Sequence, residues 1–204
     1  MSLLASKSPL YATLKSLGAL YLFIFFGLFL DSFYLLEITK DAQFYANISM
    51  VIGFVITFWQ VNKRTREQMI YAVIIGILGE YLFSVALGMY TYRLENVPHY
   101  VPLGHALVYV AVLYFSRAKS IIKHRIKLEK VLSIFIFIYA SIFLILKNDV
   151  FGFAMTIATL LILRNKPRER LFYLAMYISV AYLEIIGTNY LCWKWPATAW
   201  GIFD

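Results

Sequence analysis

The chain has one cysteine, Cys192, so it cannot close a disulfide on itself. Its three histidines, His99, His105 and His124, are scattered. No Cys/His group has metal-ligand spacing and no cofactor motif is present, so neither a metal nor a cofactor is expected. Charge is scarce at 15% of residues, and acids are scarcest: 11 Asp and Glu against 19 Lys and Arg. A net charge of +8 raises nucleic acid as a partner. However, no soluble domain exists to carry such a surface, and the basic residues fall between apolar runs, as in loops facing an anionic leaflet. Nucleic-acid binding is therefore excluded.

Apolar surface is what the chain has in abundance. Hydrophobic residues make up 62% and aromatics 18%, and mean hydropathy is +0.73. A soluble domain of 204 residues cannot hide that much, so the excess must face lipid. The expected fold is an all-α polytopic membrane helical bundle, a single transmembrane domain over residues 1–204. A span needs about 20 apolar residues. Spans are expected at about 17–36, 44–61, 69–91, 100–116, 131–146, 150–164 and 171–190, with Lys147-Asn148-Asp149 as a tight turn between the fifth and sixth. Lys7 and Lys15 before the first run resemble a signal peptide. The run is too long and no small-residue cleavage site follows, so it reads as a retained helix.

Loop charge gives an orientation. Alternate connections carry 15 Lys and Arg on one side and 4 on the other. The positive-inside rule then puts the N-terminus in the cytoplasm and the C-terminus outside, which needs an odd number of spans. The expected location is a bacterial cytoplasmic (inner) membrane. Residues 117–130 hold six of the basic residues and read either as a short surface helix or as a solvated loop.

A weak internal repeat is present. Glu80 is followed four residues later by Ser84, then by Tyr90-Thr91-Tyr92. Glu184 is followed four residues later by Thr188, then by Trp193-Lys194-Trp195. If spans one to three correspond to spans five to seven, span four is a linker and the repeat is parallel. Coincidence in an aromatic-rich chain is the competing reading.

Three acids, Asp31, Glu80 and Glu184, fall inside expected spans. A carboxylate in hydrocarbon costs at least about 2.5 kcal/mol, so each must be paired, hydrated or protonated. Each is either a functional group or a carboxylate that holds helices together by hydrogen bonds. At about 1.5 Å per residue, all three, with His105, lie between the midplane and the outer leaflet. Asn47, Thr188 and Asn189 lie near the same level. His105 is a candidate proton relay to Glu80 or Glu184; the alternative is an interfacial histidine. Asp31, Glu80, His105 and Glu184 are the candidate catalytic residues. Ser84, Tyr90, Tyr92, Thr188, Asn189, Trp193 and Trp195 are the candidate substrate-binding residues. The aromatics, with Trp200, read either as an interfacial belt or as a mouth whose ring faces stabilise a cation.

A carboxylic acid kept protonated in an apolar pocket can act as a general acid. Two such acids facing each other can share a proton. In lipid, the natural substrate is a membrane-dissolved alkene. Protonation gives a carbocation, which water quenches to an alcohol or an internal double bond captures to a ring. The pattern Gly79-Glu80, Gly88-Met89-Tyr90-Thr91-Tyr92 and Val97-Pro98-His99-Tyr100-Val101-Pro102-Leu103 resembles that of the small polytopic carotenoid hydratases, the bisanhydrobacterioruberin hydratases. Leu183-Glu184-Ile185-Ile186-Gly187 with Trp193-Lys194-Trp195-Pro196 is similar to a weaker second copy. The resemblance implies hydration of an isoprenoid or carotenoid alkene, with membrane lipid or isoprenoid as partner. Ala86-Leu87 stands where that family has Pro-Phe, and His105 where it has an aromatic. A three-plus-one-plus-three plan is also similar to the membrane-bound two-part lycopene cyclases, in architecture only.

Two other classes fit: a small proton-coupled transporter, and an accessory subunit without chemistry. Against the transporter, no Pro-Gln pair is present and no proline or glycine breaks the spans at matched midplane positions. A retinal photoreceptor is excluded, because the last span has no lysine before Lys194.

Overall fold

The computed structural model describes residues 9–36 and 38–196, the side chains of 9–14 and 16 excepted. It is all-α but for one two-residue ladder. The elements are α1 (Pro9–Leu30), α2 (Phe33–Leu36), α3 (Ala42–Gln60), α4 (Lys63–Glu80) with a π-helical continuation (Tyr81–Ala86), β1 (Thr91–Tyr92), α5 (Tyr100–Arg117), α6 (Lys119–Ile122), α7 (Arg125–Lys147), α8 (Val150–Arg164), α9 (Arg170–Asn189) and β2 (Trp193–Lys194).

Several expected boundaries move, each for a local reason. The first span does not run to 36: α1 stops at Leu30, and Ser32 accepts the Leu35 N–H to start the short α2. The third begins at Lys63, because the Asn62 side chain caps α4 by accepting the Thr65 N–H at 3.0 Å. It also ends at Ala86, so Tyr90 and Thr91 lie beyond the helix. The fifth begins at Arg125, six residues early. In the basic stretch, α6 is a single helical turn held by the buried Ile121, and the residues from Arg125 on belong to α7, so the stretch is not an open loop. The turn at Lys147-Asn148-Asp149 is as expected. Asn148 takes a left-handed conformation, and Asp149 caps α8 through the Gly152 N–H at 2.7 Å.

Among the described residues four helices are long and apolar enough to cross a membrane: α3, α4 with its continuation, α7 and α9. Residues 17–30 of α1 and the whole of α8 are apolar but shorter. Large apolar side chains on these helices point outward, among them Trp59, Leu78, Ile138 and Ile145, as hydrocarbon contact requires.

The fourth expected span, α5, is the centre of the bundle. It packs against α1, α3, α4 and α9 and buries Ala106, Val108 and Val112 among them. Helices α7, α8 and α9 form a second group around Ile136, Leu163 and Leu174. Tyr21 and Tyr182 tie α1 to α9: Tyr21 shares a hydrogen bond with Ser179 at 2.8 Å, and Tyr182 donates to the Tyr21 carbonyl at 3.0 Å.

Candidate active site

Glu80 is the last α-helical residue of α4 before the backbone widens into the π-helical turn. Such turns occur often at functional sites. The chain then reverses at Gly88, whose φ of +59° suits a residue without a Cβ, and runs into β1. After α9 the same reversal falls on Leu191, with φ 56°, before β2. The two strands pair antiparallel, Thr91 opposite Lys194 and Tyr92 opposite Trp193. The Arg93 N–H donates to the Cys192 carbonyl at 2.9 Å and extends the pairing.

This ladder delivers four hydrogen-bond donors to two acids. The Tyr90 and Tyr92 hydroxyls each donate to Glu80 Oε2 at 2.6 Å. The Trp193 and Trp195 indole N–H groups each donate to Glu184 Oε2 at 3.0 Å. The aromatics stand 10 and 12 residues after Glu80 but 9 and 11 after Glu184. The wider π turn takes up the extra residue. Donors fixed on one carboxylate oxygen stabilise the anion left when a proton departs from the other.

Both acids line one mainly apolar cavity of about 710 Å³, with His105 beside them. His105 Nε2 lies 3.5 Å from Glu80 Oε1, the oxygen that the tyrosines leave free. Gly76 makes this approach possible, since a Cβ there would stand 2.9 Å from His105 Nδ1. The cavity extends from Gln68 to Glu80 along α4, about 18 Å at helical rise. It is a long apolar shaft with carboxylates at one end.

Asp31 does not join this pair. It is fully buried in the turn after α1, outside the cavity wall. Arg93 donates to its Oδ1 at 2.5 Å and to its carbonyl at 3.0 Å, and the Tyr100 hydroxyl donates to Oδ2 at 2.8 Å. Asp31 therefore fastens the 87–99 segment and α5 to the end of α1. Sequence reasoning missed Arg93 and Tyr100, although Arg93 is one of few cations near the acid level.

Other expected site residues are committed to backbone. The Ser84 hydroxyl donates to the Tyr90 carbonyl at 3.1 Å, Thr188 to the Glu184 carbonyl at 2.5 Å, and the Asn189 amide to the Ile185 carbonyl at 2.6 Å. None lines the cavity. Asn47 accepts the Tyr100 N–H at 2.9 Å and so caps α5. Tyr92 and Trp193 are buried rather than belted at a surface, while Trp195 is half exposed. Trp200 lies outside the described residues. Among the described residues no group of three or more His, Cys, Asp or Glu is placed to hold a metal ion.

No protein-family model, curated protein or solved structure matches this chain. What the site can do chemically follows from its own geometry: two carboxylates, each with one oxygen occupied by two donors, at the end of an apolar shaft and with an imidazole in reach.

Proposed function

We propose that the protein is a seven-span integral membrane protein of a bacterial cytoplasmic membrane, with its N-terminus inside, that adds a proton to a membrane-dissolved isoprenoid or carotenoid alkene. The observation that carries this reading is the pair Glu80 and Glu184 in one apolar cavity, each anchored by two donors. Glu80 Oε1 gives its proton to a C=C bond at the acid end of the shaft. The charge left behind rests on the oxygen bonded to Tyr90 and Tyr92. Tyr90 and Trp195 pack on each other, ring centroids 5.1 Å apart, and both line the cavity, so the carbocation lies beside this aromatic pair and is stabilised by it. In hydration, water attacks the cation and its released proton goes to the Glu184 carboxylate; in cyclisation an internal double bond attacks instead, and the ring cation loses a C–H proton to the same carboxylate to form a new double bond. His105 returns a proton to Glu80. The matched donors and reversals after α4 and α9 support a parallel three-plus-one-plus-three repeat with α5 as the inserted helix.

The test is direct. Glu80→Gln and Glu184→Gln are each expected to abolish product while folded protein persists. Lipid extracts from cells with and without the gene are expected to differ by the mass of one water, or by an isomer of equal mass. An unchanged isoprenoid profile would refute the reading.

A proton-coupled transporter is the second reading. It is favoured by one observation: Glu184 borders two separate cavities. It predicts proton-dependent uptake in proteoliposomes, lost in the same variants.

A further inference from the structure

Glu184 borders the apolar cavity and also a second space of about 760 Å³ among α7, α8 and α9. Helix α7 packs on both α8 and α9, but α8 and α9 scarcely touch each other. The second space is the gap between them. In the other half α3 and α4 also scarcely touch, and α5 packs against both. Among the described residues no helix packs into the α8–α9 gap in that way.

The walls of this gap are more polar than those of the shaft. Along α9, Tyr177 and Glu184 are seven residues apart on one helix face, both lining it. Thr156 of α8 shares a hydrogen bond with Tyr177 at 2.7 Å. Lys166 and Glu169 line one mouth and Asp149 the other. The Thr156 and Tyr177 hydroxyls satisfy each other and the Gly152 carbonyl, but Asp149, Lys166, Glu169 and Glu184 also line the space, and such groups are solvated by water and not by a lipid tail. The volume corresponds to on the order of 20 waters.

We propose that this cleft is a hydrated passage that supplies water to Glu184 and exchanges its proton with bulk solvent. The inference rests on Glu184 being a working acid. After hydration Glu184 holds the proton released by the attacking water. It passes that proton to a cleft water, giving carboxylate and hydronium, and the water consumed is replaced by the same route. The two acids are then served separately, Glu80 by His105 and Glu184 by the cleft.

Cysteine accessibility tests this without a substrate. The native Cys192 is buried and provides a silent background. Thr159→Cys and Ala181→Cys place thiols on the two cleft walls, Lys123→Cys serves as an exposed control and Ile138→Cys as an outward apolar control. In opened membrane fragments, a hydrophilic methanethiosulfonate is expected to label both cleft thiols within about tenfold of Lys123→Cys and at least a hundredfold faster than Ile138→Cys. Two positions guard against one variant failing to fold. Labelling of folded Thr159→Cys or Ala181→Cys at the Ile138→Cys rate overturns the proposal, since the cleft is then dry or filled by lipid or a partner helix. If instead no isoprenoid changes in cells, the alkene reading fails while the labelling result stands.

Discussion

Tyr92 and Trp193 face each other across the two-residue ladder, and each donates a hydrogen bond to a different carboxylate, Tyr92 to Glu80 and Trp193 to Glu184. The strand pairing is thus also what sets the two acids in register. Removing one donor leaves its carboxylate with a single anchor. Tyr92→Phe and Trp193→Phe are each expected to lower product formation at least tenfold, about 1.4 kcal/mol of barrier. Circular dichroism is expected to show helix content unchanged.

The Asp31–Arg93 pair is expected to behave differently, as a fastening. Both side chains are buried, at 0% and 7% exposure. Removing one partner from such a pair costs about 3–5 kcal/mol, because a buried charge is left alone. Arg93→Met should therefore lower the thermal midpoint sharply, and adding Asp31→Asn should recover much of the loss. Full additivity of the two changes would refute this coupling.

Two glycines make a paired test of cavity and packing. At Gly187 a Cβ would collide with the Trp193 indole ring, so Gly187→Val should displace the ring and destabilise the protein by about 1–3 kcal/mol. At Gly79, on the cavity wall, nothing lies within 4 Å of a Cβ. Gly79→Leu should fold as well as the parent or better, since glycine costs helix stability. It should nonetheless reduce product more than tenfold by filling the shaft. Thermal melts and lipid extracts read the two effects separately.

Cys192 should be inert. Its thiol is fully buried and points at the Leu28 and Asp31 carbonyls. Burial, with the nearby Asp31 carboxylate, pushes its pKa from 9.0 up to about 12. The thiolate is the reactive form, and a raised pKa keeps it scarce until far above neutrality. Maleimide labelling of native protein should stay low between pH 7 and 9. Labelling of denatured protein should rise about eightfold from pH 7 to 8 and only about threefold from pH 8 to 9, as a free thiol passes its pKa of about 8.5.

Much of this was legible in the sequence. Long apolar runs between basic clusters mark helices, since each residue type reports its preference for lipid or water locally. Asn148 and Asp149 marked a turn for the same reason. Glu80 and Glu184 were legible as acids in a place that tolerates few. Boundaries were less so: the π turn after Glu80 leaves no mark in composition, and the break at Asp31 depends on Ser32 and on a partner 62 residues away.

Tertiary structure decided which acids share a cavity. By sequence, Asp31, Glu80 and Glu184 were three carboxylates in the outer half of the bilayer, with Asp31 nearer the interface, and Tyr90, Tyr92, Trp193 and Trp195 an aromatic rim. The fold gives Arg93 to Asp31 and withdraws it from the cavity, and it turns the rim inward onto the other two acids. Depth in a bilayer depends on residue spacing along one helix, which a sequence carries in full. Which side chain meets which depends on how helices distant in sequence pack, and only the folded bundle, wound around α5, fixes that.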